Sequence, residues 1–379
     1  MEEWIGTLPI TPNKNARLGF YLAPLLVDAL GKLTGKRGII LVNQLGRKKD
    51  EESFKGFIET TRRLKIDLPV YRDDDKRHIQ KAFSTIEKFL EEGLITEETA
   101  NILVCPCGIV ELTEEAVSSL VNTRTMAKTF KIEEGKIICR SCGKEIRFVG
   151  KNKILLFRPK IEKTIPRVKI FPRVFFDEFA EKYSELQRRP WVISRIREAS
   201  PSFSLPLSSF RIDVDFLWAL LPKTLMDEGK HISAFVVGHR SLRQMAMVLS
   251  LAEMTEVLIK EITVVPYLKI IPSANSPSFQ DRAESITANY DAALCRVLLG
   301  MGLSKTKEMA LSSEAIYWID HSIRRVAGMP LDEMLQEGGI KALLFSGAAR
   351  EMISYLRKKK AGFEISNRRI VQIAMKAFL

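Results

Sequence analysis

The feature that most limits what this chain can become is an uninterrupted apolar run, Ile39–Val42, closed by the polar residues Asn43 and Gln44 and by Gly46. A run without alternation has to be buried on both faces, as a strand is inside a parallel sheet. Parallel neighbours need a crossover, and one lies just before the run: Leu22, Leu25, Leu26, Ala29, Leu30 and Leu33 recur at helical spacing. The polar, glycine-containing stretch TPNKNARLGF (11–20) reads as the loop that leads into that helix. Strand, loop, helix and second strand together predict a βαβ unit.

Helical spacing returns over 51–64 and 76–92, where Ile79, Phe83, Ile86 and Leu90 share a face and Gly93 ends the segment. Asp73, Asp74 and Asp75 read as an N-terminal cap of the second helix and His78 as a residue on its surface. Further helices are expected at 175–187 and 240–254, and strands at 191–195 and 235–238. From about Ser285 to Leu379 the chain reads as helical, ending in a basic amphipathic stretch. Hydrophobic residues make up 46% and charged residues 28%, which excludes a disordered chain, and no apolar stretch is long enough for a membrane span. The opening MEEWIGTLPI lacks a basic segment followed by an apolar one, so a cytoplasmic protein of two or three domains is expected. Lys plus Arg number 59 against 46 Asp plus Glu, a net charge of +13. That surplus suits a polyanionic partner such as RNA, or simply a well-solvated surface.

The cysteines change the pattern. Cys105 and Cys107 stand in CPCG, and Cys139 and Cys142 in CRSCG. Two pairs, each followed by Gly, are what four-thiolate zinc coordination needs, because the tight turns aim backbone amides at the sulfurs. A closed four-thiolate site is structural and not catalytic; a disulfide or free buried thiols are the other readings. Cys295, alone among apolar neighbours, reads as core.

In this order, a loop rich in Pro and Asn, a βαβ start, a cysteine-paired insertion, further sheet and a helical end resemble class I aminoacyl-tRNA synthetases, the methionyl group most closely. That family's first signature, P-N-x-x-x-H-I-G-H, aligns with Pro12-Asn13-Lys14-Asn15-Ala16-Arg17-Leu18-Gly19-Phe20, so the frame is kept and both histidines are replaced. RPWVISRIREASPSFSLP (189–206) is similar to the segment where the family's chain re-enters its parallel sheet. DFLWALLP (215–222) is similar to a tryptophan-containing strand and loop, with Trp218 kept and Leu220 in place of the usual acid. A nucleotide-side Gly-Lys-Asp motif becomes Gly238-His239-Arg240. The second signature, the mobile KMSKS loop, aligns with Lys269-Ile270-Ile271-Pro272-Ser273.

The resemblance implies an α/β fold: a Rossmann-like (HUP-type) parallel-sheet catalytic core with a zinc-knuckle insertion and an α-helical C-terminal region. It implies a first half of the core over 1–95, a zinc-binding connective insertion over 96–165, the second core half over 166–284 and a helical region over 285–379, shorter than an anticodon-binding domain. It implies ATP held at Pro12, Asn13, Gly19, Gly238, His239, Arg240 and Ser273, with Arg17 and Lys269 as the catalytic cations. Asn43, Gln44 and Trp218 would face an amino acid or related carboxylate, and structural zinc would sit on the four cysteines. In the family two acids bind the substrate's ammonium where neutral Asn43 and Gln44 stand here, so a substrate with a different group at that place is expected. Two functions follow: a repurposed adenylate-forming ligase whose acceptor is tRNA or a small molecule, or a catalytically silent paralogue that binds nucleotide, RNA or protein.

Overall fold

The protein is described by a computed structural model over residues 2–12, 18–45, 51–64, 66–106, 110–112, 130–139, 143–159, 165, 167–171, 173–195, 201–205, 208–265, 267–271 and 308–312. The strands are β1 (Glu2–Thr7), β2 (Arg37–Val42), β3 (Val70–Arg72), β4 (Ile95–Val104), β5 (Val110–Leu112), β6 (Phe130–Glu133), β7 (Lys136–Cys139) and β8 (Arg147–Phe157). They continue as β9 (Lys169–Phe171), β10 (Trp191–Val192), β11 (Ser202–Leu205), β12 (Ser208–Arg211), β13 (Lys230–Gly238), β14 (Glu261–Val265), β15 (Tyr267–Ile271) and β16 (Glu308–Ser312). The helices are α1 (Leu22–Thr34), α2 (Glu51–Arg63), α3 (Lys76–Glu91), α4 (Phe176–Gln187), α5 (Val214–Ala219), α6 (Leu221–Asp227) and α7 (Leu242–Met254).

The core is a six-stranded sheet in the order β3-β2-β1-β13-β14-β9, and every neighbouring pair is parallel. The apolar runs dictate this. In β2, Ile39, Ile40, Leu41 and Val42 are all 2% exposed or less, and in β13 Ile232, Phe235, Val236 and Val237 are 1% or less. Each such side chain stabilises the fold by roughly 1.5–3 kcal/mol relative to exposure. Helix α1 packs across β1, β2 and β13, and α7 packs on β13, α4 and α5. A second, antiparallel sheet, β10-β8-β4-β5, takes β4, β5 and β8 from between β3 and β9 and β10 from after β9, and in it β4 and β8 pair along their whole length.

Gly38 fixes how closely α1 approaches the sheet. A Cβ there would lie 2.7 Å from a Leu68 methyl carbon and 2.9 Å from a Val27 methyl carbon of α1.

Several expectations are corrected. Trp191 and Val192 do not re-enter the parallel sheet: they pair antiparallel with Phe157 and Leu156 of β8, and the return to the parallel sheet is made earlier, by β9 at its edge. The segment around Trp218 is helix and not strand. Asp213 caps α5 by accepting from the Asp215 amide at 2.9 Å, and Pro222 stands in the first turn of α6, where its missing N–H costs nothing. His78 is not on the surface but fully buried, its Nδ1 2.9 Å from the Thr224 hydroxyl of α6. Of the three aspartates only Asp75 caps α3, accepting from the Arg77 amide at 2.8 Å, while Asp74 pairs with Arg72. The expected helical run after Ser285 contains a strand, β16, parallel to β15; the remainder of that run and Cys295 lie outside the described residues.

Replacing Gly38 with Ala should destabilise the protein by about 1–3 kcal/mol through overpacking against Val27 and Leu68, read as a lower urea midpoint at an unchanged slope. An unchanged midpoint would mean that α1 can shift freely.

Candidate functional site

The order of the parallel strands reverses at β1: the chain steps outward through β2 and β3 on one side, and through β13 and β14 on the other. Helices crossing in opposite senses from two such neighbours leave a crevice at their carboxyl ends, where open parallel sheets bind ligands. The loop after β1 extends the sheet's edge. Thr7 is buried and its hydroxyl accepts from the Leu41 amide at 3.0 Å, Ile10 donates to the Leu41 carbonyl at 2.9 Å, and the Asn43 amide donates to the Ile10 carbonyl at 2.9 Å. The β1 and β2 exits are therefore tied together, and Pro12, buried, sits at the end of that tie.

Residues Leu18–Tyr21 form a 3-10 turn that runs directly into α1, and Gly19 lies within it. Phe20 meets the edge of Tyr21 at 5.5 Å and of Phe57 at 6.0 Å, while Tyr21 and Phe57 stack at 5.7 Å. The position corresponding to the second histidine of the resembled signature thus belongs to an aromatic cluster joining α1 to α2. A ring in that place packs and does not donate a hydrogen bond.

On the other side of β1, Gly238 ends β13, and β13 pairs Phe235 with Gly6 and Val236 with Thr7. His239 follows in a 3-10 turn, its Nε2 lying 3.0 Å and 3.2 Å from the two Glu178 carboxylate oxygens of α4 and its ring 5.0 Å from Phe175. Lys182 shares Glu178 at 3.3 Å. Arg240 is exposed beside it. The sheet therefore brings Pro12, Asn43 and Gly238 to its carboxyl edge on three adjacent strands, with Gly19 at the start of the helix that crosses them.

Other expected site residues lie elsewhere or beyond description. Lys269 is not in a loop: its backbone is the middle of β15, in register with Ala310 of β16. Trp218 is 4% exposed in α5, its indole N–H donating to Asp215 at 2.9 Å, and it belongs to the main core. Asn13, Arg17, Ser273, Cys107 and Cys142 lie outside the described residues.

Asp73, read from sequence as part of a helix cap, is a different kind of residue. It is fully buried just beyond β3, and one carboxylate oxygen accepts from the Gln44 amide at 2.6 Å and the Leu45 amide at 3.1 Å. Burial pushes its pKa up to about 7, against the lowering effect of those two amides. Among the described residues its second oxygen and the Nε2 of buried Gln44 have no hydrogen-bond partner. The only sequence signal for this was an Asp directly at a strand's end, which also reads as a turn.

The cysteine pairs can be judged in part. Cys105 follows β4 and Cys139 ends β7; both are buried, at 1% and 0% exposure, and neither is in a disulfide. The Gly143 amide donates to the Cys139 carbonyl at 2.8 Å, the Cys139 amide donates to the Lys144 carbonyl at 2.9 Å, and Gly143 has φ of 70°. A tight turn closed by a left-handed Gly after Cys-x-x-Cys is the backbone such a metal ligand pair needs. Among the described residues no three His, Cys, Asp or Glu side chains surround a common point.

Comparison of the whole structure with solved ones finds Mycobacterium tuberculosis methionyl-tRNA synthetase bound to methionyl-adenylate at a TM-score of 0.59 and 12% identity, covering 100% of this chain and 89% of that one. The fold is shared with methionyl-tRNA synthetase. A second methionyl-adenylate complex of that enzyme superposes at 0.58 with 11% identity, and its ligand-free form at 0.56 with 13% identity, covering 89% and 87% of those chains and all of this one. No family model and no curated protein matches the sequence. Within the described residues no helix is long and apolar enough to cross a membrane.

The burial of Asp73 has a measurable consequence. Folded, the carboxyl holds its proton to about pH 7, whereas the unfolded chain releases it near its ordinary 3.8. Between those values the folded state binds more protons, so this group's contribution to stability falls as pH rises. Asp73→Asn keeps the acceptor for Gln44 and Leu45 and removes the titration. The variant should therefore gain on the parent by at least about 1 kcal/mol between pH 4 and pH 8 in urea unfolding. A pH-independent difference would place Asp73 in a wetter setting.

Proposed function

We propose that this chain is a methionyl-tRNA synthetase-like adenylate-forming ligase turned to a different task, activating an amino acid or related carboxylate with ATP and passing it to an acceptor that need not be tRNA. The carrying observation is the switch-point crevice itself, on a synthetase fold, with Pro12, Gly19, Asn43 and Gly238 along one carboxyl edge. The reaction is in-line attack of a carboxylate oxygen on the α-phosphorus of ATP. The P–O bond to pyrophosphate breaks as the acyl–adenylate bond forms, and an acceptor nucleophile then displaces AMP from the acyl carbon. Such a step needs positioning and stabilisation of phosphate charge more than acid–base groups.

In this reading Arg17 and Lys269 are the phosphate cations, with Pro12, Asn13, Gly19, Gly238, His239, Arg240 and Ser273 around the nucleotide. Asn43 and Gln44 face the carboxylate substrate, each able both to donate and to accept, and Trp218 supports the pocket from the core. The division into core halves at 1–95 and 166–284, an insertion over 96–165 and a helical region over 285–379 belongs to the same proposal. So does structural zinc on Cys105, Cys107, Cys139 and Cys142.

A second reading, a catalytically silent nucleotide-, RNA- or protein-binding module, is favoured by one specific feature. Phe20 is packed into an aromatic cluster and the His239 Nε2 is engaged by Glu178, so phosphate meets a ring at the first position and a carboxylate-bound nitrogen at the second.

Amino-acid-dependent pyrophosphate exchange across the common amino acids and hydroxylated or N-blocked analogues decides between the two. The ligase reading expects exchange with one substrate, lowered at least about tenfold, ~1.4 kcal/mol, by Arg17→Ala and by Lys269→Ala. Exchange with none, despite ATP binding, would leave the module. Metal analysis of freshly purified protein should find about one zinc per chain, lost on replacing Cys139 and Cys142 together with Ser; zinc retained by that variant would overturn the four-thiolate site.

A further inference from the structure

Away from the parallel sheet, the antiparallel sheet and the β11–β12 hairpin enclose a cleft of about 290 Å³. Its floor is apolar. Ile102, Val110 and Ile154 come from β4, β5 and β8 and belong to a small core cluster of their own, and Phe210 of β12 completes the floor at 7% exposure. Its rim is polar, and the ionisable side chains among the described residues that line it are all cations: Lys153 of β8, Arg195 and Arg211 of β12. Ser208 and Ser209 add hydroxyls and Asn152 an amide.

Lys153 and Arg195 are held by carboxylates that are not among the lining residues, Arg195 also lying 3.9 Å from Asp215. Arg195 is fixed by Asp213 at 2.5 Å, a residue that is itself tied down as the cap of α5, and Lys153 meets Glu97 at 3.0 Å. The Ser208 hydroxyl also donates to Glu97, at 2.7 Å. Ser194 is buried and accepts from the Leu155 amide at 3.0 Å, and the Arg195 amide donates to the Arg211 carbonyl at 2.7 Å, so the segment after β10 that carries Arg195 is stitched to both β8 and β12. The cationic rim is thus preorganised, which spares a ligand the cost of ordering it.

We propose that this cleft binds a nucleoside monophosphate group, with the base over the apolar floor and the phosphate on Lys153, Arg195 and Arg211. The guanidinium forks suit bidentate contact with phosphate oxygens, and a flat heterocycle suits a floor of branched and aromatic side chains. The volume is at the lower end of small-molecule sites and admits about one nucleotide. The same chemistry is offered by a free mononucleotide and by the end of a single strand. The inference does not depend on adenylate formation at the crevice.

Hydrogen exchange of the full chain with 5′-AMP, inorganic phosphate and a six-nucleotide single-stranded RNA tests this. AMP should protect 152–154 and 208–211, and Lys153→Ala with Arg211→Ala should weaken that local binding at least about tenfold while leaving the urea midpoint and any protection at 238–242 unchanged. Tighter binding by the RNA would make a strand end the natural source, and tighter binding by AMP a free nucleotide. No protection at 208–211 in millimolar AMP, or protection unaffected by the double variant, would overturn the site. Inorganic phosphate binding as tightly as AMP would overturn the role of the floor. Loss of pyrophosphate exchange with this protection intact would fault only the ligase reading.

Discussion

The structure depends on the pairing of β1 with β13. These strands are separated by most of the described chain, and their parallel register, Glu2 with Lys230 through Thr7 with Val236, is what turns two outward-stepping sets of strands into one sheet. Without it there would be a β1-β2-β3 unit and a β13-β14 unit, each with an exposed parallel edge that could not be left unpaired. With it, Gly238 comes to the edge beside the loop that carries Pro12. A one-residue slip would exchange the faces of every β13 side chain and put Ser233 where Ile232 packs, or, in the other direction, His231 there and Ala234 where Phe235 packs. The crevice is therefore a consequence of a long-range register, and such contacts form late and slowly in folding because loop closure precedes their reward.

The sequence makes the local elements legible and hides what depends on partners far away. Helices α1 and α3 and strand β2 carry their own signals, an apolar period of 3.6 or an uninterrupted apolar run, and these segments fold as read. His78 misleads because its burial is imposed by Thr224 of α6, far along the chain, and no local pattern reports a neighbour at that distance. Asp73 misleads similarly, since Gln44 and Leu45, on the loop after β2, decide that it serves as a buried acceptor. The Trp218 segment fails for a different reason: a short apolar run fits a strand and a buried helix equally, and only the capping Asp213 and the following Pro222 distinguish them. Of the candidate site, Pro12, Gly19, Asn43 and Gly238 are found at the crevice, whereas Lys269 is found in a strand because Ile270 and Ile271 join it to a β-rich apolar run.

Fixed charge and proton transfer make different demands on a site. Phosphate displacement is stabilised by fixed positive charge, and that can be supplied from several positions. A proton donor at one point cannot be so easily moved. The aromatic cluster of Phe20, Tyr21 and Phe57 packs the turn that starts α1 against α2. His239 is not loose either: Glu178 holds its Nε2 and is itself shared with Lys182. Both positions are held by packing or by an ion-pairing contact.

Rigidity of that kind has a direction. The packed aromatics before α1 and the tethered imidazole after β13 hold the two exits in place, so what is left unsatisfied near them is polar. Among the described residues the Nε2 of buried Gln44 and the second oxygen of Asp73 have no hydrogen-bond partner, and burial pushes the Asp73 pKa up to about 7. A buried donor and a buried acceptor, each short of a partner, are costly, because an unpaired buried polar group costs more than a paired one returns. The same burial that raises the Asp73 pKa therefore makes a full negative charge costly at this end of the sheet, and the two backbone amides of Gln44 and Leu45 offset only part of that cost.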